Sequence, residues 1–310
     1  MKLSTVRADN QNMVQLKLNL LPQPTPDWLG TRPSVMQRNR LQMQVMKYYP
    51  GDIIMALMFL DRKLSTAMQQ HIAPFQLGRL LKDKTEQVVF WGEDHGQQRA
   101  KQFITTQLVE MHQLGFTHIG IEWAGSDNWP LFREFNISGQ GVERIRELLT
   151  AQEIAGMFSF SGTENMEFIH QAHELGFTVI PINITNNMHE YDARLQRTVA
   201  ITYRDLWMAK NIHWGLQERS RLAASSPAKM AVMVGAGHID KNLGLPYVLQ
   251  GEYGYSSISV YYATEGTEVD QPMMLPCNRE TYKLITLYAP INGSFSHRTP
   301  YPADWIVFVP

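Results

Sequence analysis

Cysteine is nearly absent: Cys277 is the only one in 310 residues, which excludes an intrachain disulfide and a cysteine-rich metal site. Net charge is nearly absent as well, at −1, and no run of like charges is long enough to act as a nucleic-acid tail. Nucleic acid is therefore not an expected partner. No stretch approaches the about 18 to 20 apolar residues that span a bilayer, and the N-terminal MKLSTVRADNQNMVQLKLNLLPQP has no continuous apolar core of a signal peptide. With a single cysteine, these absences predict a soluble, cytoplasmic chain with no membrane partner. Several enzyme signatures are missing too. There is no G-x-S-x-G elbow, and GAGHIDKNLG lacks both the G-x-G-x-x-G order and the G-K-[ST] ending, so serine-hydrolase, dinucleotide and P-loop readings have no support. HQAHE at 170–174 has its histidines three apart with Glu174 after both, which matches neither zinc-protease order and reads as an exposed helix face.

What is present is a globular composition, 44% hydrophobic and 18% charged, sufficient for a substantial core. Residues 1–50 carry seven Lys/Arg against two Asp/Glu, and LPQPTPDWLGTRPS at 21–34 holds four prolines, so this part reads as a solvated extension and connector. Residues 51–310 read as a single α/β domain. It opens with a Met-rich helix over 52–72, whose apolar face suits core packing. From residue 86 short apolar strands alternate with helices closed by glycine. QVVFWG (87–92), a helix over 97–115 and HIGIEWAG (118–125) make a βαβ unit; a helix over 165–176 and the strand FTVIPINI (177–184) continue it. A long helix over 192–224 precedes the strand KMAVMVG (229–235), and SSISVYYA (257–264) and DWIVFV (304–309) extend the sheet. The alternation predicts an α/β fold with a mainly parallel central sheet flanked by helices, and an N-terminal helical region packed on it.

In open parallel sheets, ligands bind beyond the carboxyl ends of the strands. The polar residues at those ends are Glu93, Asp94 and His95, then Glu122, Asn183 and His238. Two corners rhyme: Gly92-Glu-Asp-His95 and Gly235-Ala-Gly-His238 both place a histidine three residues after a glycine that ends an apolar strand. Two histidines and nearby carboxylates at one sheet edge suit two related chemistries. They can bind a divalent metal that lowers the pKa of water, with His95, His238, Glu122 and Asp205 as the ligand set, or a Glu-oriented histidine can act directly as general base. Both predict hydrolysis. On the long helix, adjacent Arg204 and Asp205 supply a cation for an anionic substrate group or oxyanion and a carboxylate to orient a histidine.

The GEDHG corner, Glu122 in IGIEWAG, the YRDLWMAKNI helix and the VGAGHI corner, in this order over about residues 86–240, resemble the superfamily that joins erythromycin-esterase-like hydrolases, TIKI/TraB-type proteases and ChaN-like haem-binding proteins. The resemblance implies an α/β fold with its centre at the sheet edge. It assigns His95 and Glu93 to the first corner, Glu122 to the second strand, Arg204 and Asp205 to the helix and His238 to the last corner. Its esterase-like branch implies His and Glu activating water on a lactone, its TIKI-like branch metal-dependent peptide cleavage, and its ChaN-like branch haem binding.

The expectation is therefore a hydrolase of ester, lactone or amide bonds acting on a small molecule or peptide. His95, Glu93, Glu122, His238 and Arg204 carry catalysis, with or without a divalent ion of Zn, Mn, Co or Fe. The alternative is a haem- or iron-binding protein using the same histidines. Loops 125–142 and 264–303 are expected to set specificity. His189 is placed near the crevice in a turn or supporting role, and Cys277 lies in a Pro-flanked loop away from the strand ends.

Overall fold

A computed structural model describes residues 72–81, 85–93, 98–154, 162–185, 197–222, 227–241, 244–263, 270–276 and 303–309. They form one eight-stranded sheet. Its strands are β1 (Ala73–Pro74), β2 (Val88–Glu93), β3 (His118–Gly125), β4 (Thr178–Asn183), β5 (Met230–Gly235), β6 (Ser257–Ala263), β7 (Met273–Pro276) and β8 (Trp305–Phe308). The spatial order is β1-β7-β8-β6-β2-β5-β3-β4. The six strands from β8 to β4 pair in parallel, and β7 and β1 close one edge antiparallel. The mainly parallel sheet expected from the alternating pattern is present. The antiparallel edge has no counterpart in the sequence pattern, because β1 has two residues and β7 four, too short for a periodic signal.

The helices are α1 (Leu77–Leu80), α2 (Gln98–Gln113), α3 (Trp129–Ser138), α4 (Val142–Ile154), α5 (Gly162–Glu174), α6 (Arg197–Leu222) and α7 (Leu245–Tyr253). Helices α2 and α5 end by the same device. Gly115 (φ 83°) and Gly176 (φ 84°) take the left-handed conformation, and the next residue's N–H bonds back to Met111 and Ala172 respectively, satisfying carbonyls the helix leaves open. The region 125–142, expected to be a loop, is mostly ordered into a 3-10 turn (Ser126–Asn128) and α3, with Pro130 in the first helical turn and Gly139 as a left-handed cap. The helix expected over 52–72 lies outside the described residues except for Ile72, as do residues 192–196 ahead of α6.

Strands β2, β3 and β5 are buried along their whole length, so both faces need covering and the sequence cannot alternate apolar with polar. Pleating sends Val89 and Trp91 of β2, Ile119, Ile121 and Trp123 of β3, and Ala231 and Met233 of β5 into one core with α2, α3, α4 and α5. Val88, Phe90, Met230, Val232 and Val234 enter the other core with α6 and α7. Full burial of each Ile, Val or Phe contributes about 1.5 to 3 kcal/mol. A polar residue at a strand end thus belongs to one face or the other, and its parity along the strand decides which.

Candidate active centre at the sheet edge

Glu122 follows Ile121 on β3 and therefore turns to the α6 face. It is wholly buried. One carboxylate oxygen, Oε2, accepts the Gly235 N–H at 2.6 Å; the other, Oε1, accepts from Arg204 Nη2 and lies 3.3 Å from His238 Nε2. His238 closes the line on its other side, with Nδ1 2.6 Å from Asp205 Oδ1. Asp205 is buried because it shares a helical stripe with Met208, Ala209, Ile212 and Leu216, all buried against the sheet. Arg204, one position before it, reaches the same centre from its margin and is its partly exposed member, with 19% of the side chain accessible.

Two carboxylates, a guanidinium and an imidazolium make a neutral set, buried but for Arg204, and the electrostatics favour that protonation. Burial opposes charge on His238, but the Glu122 and Asp205 carboxylates outweigh it and hold its pKa at about 9. For Asp205 burial is the largest influence and lifts its pKa to about 6, with the His238 cation acting against the rise. At pH 7 the ring is therefore an imidazolium between two carboxylates.

Asparagines hold the centre in register. Asn183, at the end of β4, donates from Nδ2 to the Glu122 carbonyl (2.9 Å); its Oδ1 accepts the Ile184 N–H (2.9 Å) and lies 3.5 Å from Arg204 Nη2. This bracket spans the irregularity between Ile121 and Gly125, where the β3–β4 register shifts. Asn211 of α6 donates to the Ile182 carbonyl at 2.8 Å, tying the helix that carries Arg204 and Asp205 to β4. Asn183 is visible in the sequence as a strand-end residue, but nothing in one sequence marks it or Asn211 as a support.

The second Gly-x-x-His corner is built by close approach. A Cβ on Gly244 would lie 2.4 Å from the His238 carbonyl, and one on Gly92 would lie 2.5 Å from Ile239 Cδ1. Gly92 is an in-line residue of β2, so its glycine makes room for the other corner where a tight turn was expected.

Glu122, Arg204, Asp205 and His238 are thus brought together, whereas Glu93 is not with them. Following Trp91 on β2 by two positions, it turns to the α2 face, where Oε1 accepts the Trp123 indole N–H at 3.4 Å. A shared Glu93–Glu122 centre is corrected by strand parity: the two side chains lie on opposite faces. His95, His189 and Cys277 lie outside the described residues. Among the rivals, His170 is exposed beside Glu174 (3.5 Å), but His173 of the same expected exposed face is half-buried, its ring centroid 4.5 Å from that of Phe135. His213 stacks on Tyr253, with ring centroids 4.3 Å apart.

The metal expectation can be tested on the donors. Among the described residues no three His, Cys, Asp or Glu side chains converge to hold an ion. Arg204 and His238 face Glu122 Oε1, the Gly235 N–H occupies Oε2, and both nitrogens of His238 face carboxylates. These donors are turned on one another, so the described set does not fit a divalent ion.

No protein-family model and no curated protein matches the chain. Solved structures do resemble it. A ChaN of Campylobacter jejuni described with cofacial haem binding is 10% identical over 77% of this chain and 96% of its own, with a TM-score of 0.47. An erythromycin esterase, EreC, in a mutant open form, is 9% identical over 76% of this chain and 92% of its own, at 0.46. The C-terminal region of Pasteurella multocida toxin, described with a thiol-protease-like triad, is 10% identical over 84% of this chain and 30% of its own, at 0.49. The first two are from branches named by the sequence resemblance. At these identities the chemistry is read from the site itself.

Proposed function

We propose that the chain is a hydrolase of ester, lactone or amide bonds whose proton transfers run through a buried Asp205–His238–Glu122 line flanked by Arg204. The observation that supports this is a histidine held between two carboxylates at the carboxyl edge of a parallel sheet, 2.6 Å from one and 3.3 Å from the other.

Hydrolysis by water forms a C–O bond to the carbonyl carbon and breaks its bond to the leaving oxygen or nitrogen. One proton leaves the water and one reaches the leaving atom. With a pKa of about 9, His238 begins as the acid, and the proton between its Nε2 and Glu122 Oε1 is the one delivered. Asp205 holds the ring in place through Nδ1 and stabilises its charged form. Arg204, as the exposed member, meets the substrate first. By turning its guanidinium from Glu122 to the carbonyl oxygen it offsets the charge that develops there. His95, from the first corner, is assigned the base that takes the proton from water, a role carried by the sequence pattern.

The test is a panel of activated esters, lactones and peptides with the wild type and the His238→Ala, Glu122→Gln and His95→Ala variants, each checked for folding by circular dichroism. All three should fall by about 10²- to 10⁴-fold. An unchanged rate in folded His238→Ala would remove the assignment. The haem alternative is read on the same samples. Because both His238 nitrogens face carboxylates, haem titration should give no Soret band that depends on His238; such a band would replace hydrolysis with haem binding.

A further inference from the structure

The α2 face of the same sheet edge holds a second group of buried ionisable side chains that the proton line above does not use. Glu93 is wholly buried, and Lys101 of α2 is 2% exposed. A buried carboxylate and a buried ammonium each cost several kcal/mol to desolvate unless compensated. Trp123 of β3 touches both: its indole N–H donates to Glu93 Oε1 (3.4 Å), and Lys101 Nζ lies 5.0 Å from its ring centroid. The cation addresses the electron-rich face of the indole and the anion its polar edge, so each polarises the ring in favour of the other. Lys101 Nζ also donates to Asn165 Oδ1 of α5 at 2.7 Å, which fixes the ammonium from a second helix. Arg99 and Glu110 of α2 and Glu167 and His170 of α5 are exposed to water, where their fields are screened, while Glu164 of α5, next to Asn165, is half-buried. Tyr262 of β6, wholly buried, has its pKa driven well up by burial and then by Glu93, so it stays neutral.

We propose that Lys101, acting through Trp123 and anchored by Asn165, is the positioning residue for Glu93, and that this clamp fixes the carboxyl end of β2. The clamp couples buried charges on the α2 face and does not depend on the hydrolase reading. Its readout is unfolding of the intact chain, which needs no substrate.

The experiment is a double-mutant cycle by thermal unfolding at pH 7 with Lys101→Met, Glu93→Gln and the double variant, and Lys101→Arg as the charge-keeping control. Lys101→Met alone takes a buried cation away from a buried carboxylate and should lower Tm by about 10 °C. Glu93→Gln should restore more than half of that loss when combined with it, and Lys101→Arg should stay within a few degrees of wild type. An equal loss from Lys101→Met in the wild-type and Glu93→Gln backgrounds would overturn the clamp. Should Lys101→Met yield no folded protein, the double variant decides: folded protein supports the coupling, unfolded protein overturns it. Loss of coupling here with an active hydrolase, or coupling without activity, separates the two proposals.

Discussion

On the α6 face of the sheet edge two carboxylates meet a guanidinium and an imidazolium directly, with Asp205 and Glu122 on either side of one histidine. On the α2 face an indole ring links ammonium and carboxylate, and the hydroxyl of Tyr262 is kept neutral. The difference is one of proton mobility. The first arrangement sets a carboxyl raised to about 6 against an imidazolium held at about 9, titratable groups on either side of neutral pH. The second has an aromatic link that transmits charge but carries no labile proton at neutral pH. We read the first face as the one that exchanges protons and the second as the one that fixes a strand end.

The largest expected effect breaks the mobile side. Folded His238→Ala should lose about 10²- to 10⁴-fold in kcat/KM, measured on whichever substrate the panel identifies. Next, Glu122→Gln leaves Arg204 and His238 facing a neutral amide, and chemical denaturation should show a loss of about 3 to 5 kcal/mol.

The proton itself can be followed. In ¹⁵N NMR the His238 ring should titrate near 9, and Asp205→Asn should lower that value by about 1 to 2 units by removing one of the two carboxylates. Glu93→Gln, on the other face, should leave it in place; a comparable shift from Glu93→Gln would erase the distinction between the faces. Stability follows with a definite sign. Because the folded pKa of His238, about 9, exceeds the ordinary 6.5, its contribution is complete below about pH 6.5 and is lost as pH climbs through 9. Asp205 acts in a lower window: its rise from 3.8 to about 6 costs stability as pH increases across that interval. Denaturation midpoints of wild type and His238→Gln, compared from about pH 6.5 to 9.5, should converge at the alkaline end.

Asn183→Ala removes the bracket at the β3–β4 irregularity and two buried hydrogen bonds, and should cost about 1 to 3 kcal/mol. The smallest effect is on the surface. Glu174→Ala, breaking the exposed pair with His170, should change stability by about 0.3 kcal/mol.

The sequence by itself determined the six parallel strands and their order of appearance, but not the antiparallel edge strands β1 and β7. β2, β3 and β5 are short apolar runs bounded by glycine and polar residues, and α2 and α5 are closed by glycines with no side chain to oppose a positive φ. It also placed polar residues at the strand ends, whereas Arg204 and Asp205 read by themselves as a solvated helix face, and only packing put Asp205 in the core beside Met208, Ala209 and Ile212. Tertiary structure decided which of those ends share a face. Glu93 and Glu122 look equivalent in one dimension, and only the register that places β5 between β2 and β3, with the parity of each residue on its strand, sends one to α2 and the other to α6. The same holds for Lys101, Asn165, Asn183 and Asn211, ordinary polar residues in the sequence. Lys101 finds Asn165 at a separation of 64 positions, Asn183 finds Glu122 at 61 and Asn211 finds Ile182 at 29, and such pairings are set by packing, which no local pattern encodes.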